Sequence, residues 1–206
     1  MTEYCTIAAA GEGTVTEKRS EFIAQLFPVQ TAEAAAECIS AVKAKHHKAR
    51  HNVWAYTLRE GAARYSDDGE PQGTGGQPVL SVLQKAGLSD VCCVVTRYFG
   101  GVLLGASGLT RAYSAAAAQA VQNVKILHFC EAHRVRLSMD YSRYGKVSYL
   151  LPEFEVIDAG SDFGENVTLL FDVRTDRYEA LAARMTELFN GAQDLEILET
   201  HFVDFP

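Results

Sequence analysis

Residues 65–113 set the strongest limit on how this chain folds, because two glycine-rich polar loops flank one apolar run. That run, residues 91–97, is short, β-branched and bounded by turn signals, so it reads as a strand buried on both faces. The first loop, residues 66–76, offers Asp67, Asp68 and Glu70 as acceptors. Gly69, Gly73, Gly75 and Gly76 are its flexible points before Pro78, a residue suited to a helix's first turn. The second loop holds Gly100, Gly101, Gly105, Ser107 and Gly108 and leads into an alanine-rich helix running from 107 or 108 to 124, with Ser107 a candidate cap. Exposed amides at such helix starts favour an anion. Two readings stand side by side: glycines that only make tight turns, or two loops opening on one edge of a domain to hold a ligand.

The flanking chain supplies the rest of a sheet. Residues 4–10 and 14–18 read as two strands joined by a turn at Gly11 and Gly13, and 22–28 as a third. Thr31 suits an N-cap, and Ala35, Cys38, Ile39 and Val42 share one helical face, with the helix ending near Lys48. Residues 52–58 alternate as a half-buried strand bearing Trp54 and Tyr56. A short helix over 78–86 stops at Gly87. Beyond residue 126 the glycine loops disappear and the order becomes βαββαβ: strand 132–139, helix 141–151 ended by Pro152, strands 154–159 and 167–174 across a turn at 160–164, a helix capped by Thr175 or Asp176, and strand 195–200. That order is the ferredoxin-like split βαβ pattern. The expected fold class is α+β, with an N-terminal β-α-β domain over 1–125 and a ferredoxin-like domain over 126–206.

Charge divides along the same line. The net charge is -7, but residues 1–125 balance at +1 while 126–206 stand at -8, so only the first part is suited to meeting phosphates. Its most basic run is Lys43-Ala44-Lys45-His46-His47-Lys48-Ala49-Arg50-His51, either a dipole-matched helix end or an anion contact. The five cysteines show no metal spacing, and the adjacent Cys92 and Cys93 point to opposite faces of a strand and pack as small apolar groups. No apolar run is long enough for a membrane span, and no secretory signal is read. A reducing cytoplasm is the expected compartment, with no membrane, metal or cofactor.

The strings SDDGEP, GTGGQP and RYFGG, followed by Leu104-Gly105, Gly108-Leu109 and Arg111-Ala112-Tyr113, resemble the signature of the YigZ/IMPACT family. Lys18-Arg19-Ser20-Glu21-Phe22-Ile23 and Ala49-Arg50-His51 are similar to further family elements, with Glu21 standing where a basic residue is expected and Ser107 where glycine is. The resemblance implies a first domain similar to the superfold shared by a ribosomal small-subunit protein, elongation factor G and the GHMP kinases. It implies a second domain similar to the ferredoxin-like domains of translational GTPases, and a role in translational regulation.

Two functions follow as expectations. One is a translation-linked binding protein that contacts RNA, the ribosome or a protein partner through the glycine loops and nearby cations. The other is a phosphate- or nucleotide-binding enzyme in which Asp67, Asp68 and Glu70 hold Mg²⁺ or act as a base. No nucleophile and base pair up by spacing, so catalysis is left open. The candidate binding residues are Lys48, Arg50, His51, Asp67, Asp68, Glu70, Arg97, Tyr98, Gly100, Gly101, Gly105, Ser107, Gly108 and Arg111.

Overall fold

A computed structural model describes residues 2–191 and 194–205. Contacts divide the chain into two units, one comprising residues 4–127 and the other 1–3 with 128–206.

The first unit is a five-stranded antiparallel sheet between helical layers. Its strands β2 (Gly11–Glu17), β3 (Ser20–Pro28), β4 (His51–Thr57), β5 (Ala63–Ser66) and β6 (Val91–Tyr98) lie in the order β2-β3-β6-β4-β5. The apolar run is thus the central strand, buried from Val91 to Arg97 as its composition requires. Cys92 packs with Val29, Ile39 and Val42, the last two on α1 (Ala32–Lys45). Cys93 faces the opposite layer, formed by α2 (Gly76–Lys85) and α3 (Gly105–Gln122). Burial pushes the Cys92 thiol up to about 12, so both cysteines act as small hydrophobes. Thr31 caps α1 as expected, its hydroxyl accepting from Ala34 N–H at 3.1 Å.

Several expectations fail for physical reasons. Gly11 and Gly13 make no turn. They lie inside β2 because α3 crosses it too closely for a side chain: a Cβ at Gly13 would stand 2.3 Å from the Ala120 nitrogen. The strand β1 (Glu3–Ile7) therefore makes no hairpin with β2. Its Cys5 instead bridges Leu88 in parallel, and the Thr2 carbonyl accepts from Glu131 N–H at 2.8 Å. The two-residue turn falls at Lys18–Arg19, both at positive φ, between β2 and β3. Helix α3 starts at Gly105 with Leu104 as N-cap, so Ser107 is already the third helical residue and not the cap.

The second unit carries β7 (Ile126–Met139), α4 (Tyr141–Leu150), β8 (Ile157–Phe163), β9 (Val167–Arg174), α5 (Thr175–Leu188) and β10 (Asp194–Asp204). Antiparallel pairing of β10 with β7, β7 with β9 and β9 with β8 gives the ferredoxin-like order. Val135, Leu137, Val147, Phe171, Leu181 and Met185 fill its core. Here too boundaries move. Leu151–Phe154 is a 3-10 turn, so the strand begins at Ile157, and Gly160 sits inside β8 at a register shift rather than in the turn. Neither Thr175 nor Asp176 caps α5; Arg174 is the N-cap residue and its guanidinium grips the Asp176 carboxylate at 2.9 and 3.0 Å. Among the described residues no helix is long and apolar enough to cross a membrane.

Gly13→Ala is expected to push α3 off β2 and lower the stability of the first unit by about 1–3 kcal/mol. Fluorescence of Trp54, the only tryptophan, during urea unfolding measures it, because Trp54 lies in this unit's sheet.

Candidate functional site

The centre of the site is Arg97, near the end of β6 and in register with Phe22 of β3 and His51 of β4. A strand buried on both faces leaves a guanidinium no water, so it must find its counter-charge inside the protein. Glu70 of the first glycine loop supplies it: Arg97 Nη1 donates to Glu70 Oε1 at 2.6 Å, with side chains only 8% and 4% exposed. The Tyr113 hydroxyl of α3 donates to the same oxygen at 2.8 Å. Burial, then the neighbouring Glu70 carboxylate, pushes the Tyr113 phenol far above its ordinary value, so it stays a donor. The guanidinium lies 5.5 Å from the Phe22 ring and 5.6 Å from that of Phe99, and Phe22 meets Tyr113 edge-to-face at 5.0 Å. One polar cluster thus ties the first loop, the central strand, β3 and α3 together.

The other two acids of the loop are equally committed. Asp67 Oδ1 accepts from the amides of Gly75 and Gly76 at 2.9 and 2.8 Å, and Oδ2 from Gly73 at 2.8 Å. A carboxylate of the chain itself therefore fills the anion position at the start of α2. Asp68 Oδ1 meets Lys43 Nζ at 2.6 Å, its Oδ2 accepts from Asn52 N–H at 2.7 Å, and its carbonyl lies 2.9 Å from His51 Nδ1. Asn52 in turn accepts from the buried Thr96 hydroxyl at 2.8 Å. These bonds draw the end of α1, the first loop and the end of β6 to one edge. His46 joins them, with Nδ1 2.9 Å from the Tyr98 hydroxyl. Among the described residues no group of three or more His, Cys, Asp or Glu is arranged to hold a metal.

The second loop behaves differently. Its base is fixed: Gly100 N–H donates to the buried Ser20 hydroxyl at 3.1 Å, and a Cβ on Gly100 would collide with the Arg19 backbone at 2.0 Å. Gly101 and Gly105 take positive φ, at 85° and 72°, and between them the chain turns outward before Leu104 returns to the core. Phe99, Val102 and Leu103 are left 53%, 41% and 82% exposed. Gly108 is buried beneath the Leu104 side chain, while Ser107 and Arg111 face solvent on α3. Lys48 and Arg50 are exposed as well, and no described residue forms an ion pair with Lys48, Arg50 or Arg111.

Of the predicted residues, the structure therefore brings Glu70 to Arg97, Asp68 to His51, and Tyr98 to the end of α1. It turns Asp67 inward on its own loop and leaves Lys48, Arg50, Ser107 and Arg111 outside. Sequence reasoning does not single out Asn52, Thr96, Val102 or Leu103, and it places Lys43 in the basic run and Tyr113 in the family signature without naming either among the candidate binding residues. The aliphatic pair Val102–Leu103 in an otherwise polar, glycine-rich loop was the one available signal.

A glycine-loop α+β unit followed by a ferredoxin-like unit defines a two-domain α+β protein. The sequence profile of the Impact N-terminal domain matches residues 18–121, and that of a domain of unknown function, DUF1949, matches 137–192. The chain belongs to the IMPACT family. It is 36% identical over 203 residues to the IMPACT family member YvyE of Bacillus subtilis (strain 168), covering 98% of this chain and 94% of that one. With the IMPACT family member YigZ of Escherichia coli (strain K12) it shares 30% identity over 96% of this chain and 99% of the relative. A crystal structure of a hypothetical protein, 28% identical, superposes with a TM-score of 0.62 over 97% of this chain and 98% of that one.

Removing the counter-charge of a buried guanidinium is costly. Glu70→Ala is expected to destabilise the first unit by about 3–5 kcal/mol, whereas Tyr113→Phe, which leaves the ion pair in place, costs about 1–2 kcal/mol; Trp54 unfolding curves separate the two. Burial, reinforced by Lys45, holds the His46 pKa below its ordinary 6.5. The unfolded chain then binds the proton first, so stability falls as pH drops below about 6.5, and His46→Gln flattens that slope in melts across pH 5–8.

Proposed function

We propose that this chain is a translation-linked regulatory binding protein that docks to the ribosome, its RNA or an associated protein through the edge where the two glycine loops meet the end of α1. The observation that carries this reading is a division of labour at that edge. Every carboxylate of the first loop takes part in internal bonds, while the cations Lys48, Arg50 and Arg111 and the apolar Phe99, Val102 and Leu103 are left exposed. Lys48, Arg50 and Arg111 provide charge for phosphates or acidic side chains, and Phe99 offers a ring face. The membership of the IMPACT family supports the link to translation, through the role that the resemblance implies.

The competing reading is a phosphate- or nucleotide-binding enzyme using both loops. It loses the first loop, because the Asp67 carboxylate already occupies the amides that a phosphate would need. The three acids are likewise paired with Lys43, Arg97 and backbone rather than disposed around a common point.

Sedimentation with purified ribosomes and their subunits across a salt series tests the proposal. Co-sedimentation is expected at low salt and is expected to fall as salt rises. In a variant carrying Lys48→Glu and Arg50→Glu the logarithmic salt slope decreases by about 1–2, the loss of two phosphate contacts. No binding at low salt would sink the proposal and return attention to nucleotide binding at the start of α3.

A further inference from the structure

We infer that the tip of the second glycine loop, Val102–Leu103 with Phe99, is a preformed hydrophobic plug for an apolar groove rimmed by carboxylates on a protein partner. The inference rests on the docking edge proposed above and names the partner chemistry there.

The first argument is exposure under constraint. Leu103 is among the most exposed large apolar residues described, and Val102 and Phe99 stand beside it in the chain. Isolated exposed leucines are ordinary, but a contiguous group is not. Nor is this group loose chain that folds back on itself at will. Gly100 is seated on the Arg19–Ser20 backbone and bonded to Ser20, Leu104 is buried in the core cluster, and the two positive-φ glycines bracket the tip. A frame that holds aliphatic side chains out in water removes in advance the ordering cost of binding, which favours a partner that uses that shape.

The second argument is charge. Next to the plug's base are Lys18 and Arg19, in the turn against which Gly100 packs, and the helix that follows the tip carries the exposed Arg111 about 9 Å along α3 from its first residue. Lys48 and Arg50 lie in the segment leading into β4, whose first residue His51 is in register with Arg97. All five are exposed, against Glu12, Glu17 and Glu21 as the exposed acids of the adjoining hairpin, of which Glu12 lies at its far end from the Lys18–Arg19 turn. Apolar centre and cationic rim together call for an acidic rim around an apolar floor. RNA meets the rim and the Phe99 ring but not the tip itself, since Val102 and Leu103 have no planar face to stack on a base and a phosphate gains nothing from them.

The test uses the full chain, purified ribosomes, and ribosomal RNA freed of protein. Leu103→Asp is expected to weaken binding to ribosomes by about 30-fold, the scale of a central interface residue, while Leu103→Met stays within about 3-fold. Leu103→Ser, which adds no charge, is expected to weaken ribosome binding as well and to leave binding to the protein-free RNA at the wild-type level, so the comparison on free RNA is made with that variant. A photoreactive amino acid at position 103 is expected to form its crosslink to protein, at a peptide containing Asp or Glu beside apolar residues. Wild-type binding that Leu103→Asp leaves unchanged overturns the plug alone. Equal loss on free RNA, or a crosslink to RNA, gives the surface to nucleic acid and also overturns it. Failure of the wild type to bind ribosomes at low salt overturns the docking proposal and the plug with it. Circular dichroism and Trp54 fluorescence identical to wild type confirm that the exposed substitution leaves the fold intact.

Discussion

The arrangement of the first unit depends on one buried ion pair, Arg97 with Glu70. Such a pair is a poor source of net stability, because the cost of taking two charges out of water roughly cancels their attraction. Its effect is on placement. An arginine at the end of a fully buried strand is tolerable only if a carboxylate reaches it, and Glu70 reaches it only when the first loop folds over the end of β6. Tyr113 then fastens α3 to the same oxygen, and Phe22 fills the space between ring and guanidinium. Alternative placements of the loop or helix would strand a charge, so they are excluded by several kcal/mol.

The two glycine loops look alike in composition and do different work, for a reason that only tertiary distance reveals. In the first, Asp67 reaches six to nine residues ahead to hold three amides, so the loop closes upon itself and α2 begins with its anion already present. In the second no side chain caps α3, and the glycines instead let the backbone pass close over the β2–β3 turn and then swing outward. The first loop fixes position; the second presents a surface.

Features governed by local periodicity were legible from residues alone. The opposed faces of Cys92 and Cys93, the Thr31 cap, the apolar face of α1 and the ferredoxin-like order all follow from alternation, capping chemistry or element sequence. What was not legible depended on what lies across the gap. Gly13 signals a turn until α3 is known to cross there, when it signals close approach. Ser107 has the right chemistry for a cap but lies two residues past the true helix start, because Gly105 already turns the chain. The strand β5 is four residues of exposed, mixed composition that only its pairing with β4 defines. At the site, residue types marked the participants and gave no sign of who would partner whom.

This bears on how the charge of the first unit is understood. The formal balance of +1 over residues 1–125 counts every carboxylate once and suggests a nearly neutral surface. A carboxylate that lies against a lysine at 2.6 Å projects little field outward, and one that accepts three amides has its charge partly offset by their dipoles. At the edge where the first loop meets the end of α1, Asp67, Asp68 and Glu70 are engaged in that way, and of the cations beside them Lys43 and Arg97 are engaged with them. What remains unpaired is Lys48, Arg50 and Arg111, with Lys18 and Arg19 at the adjoining turn. Set against the exposed Glu17 and Glu21 near that turn, these five leave the edge positive. Under the docking proposed above, attraction by these cations would orient a partner at the range of the Debye length, and contact with the exposed Val102 and Leu103 would then discriminate among those that arrive.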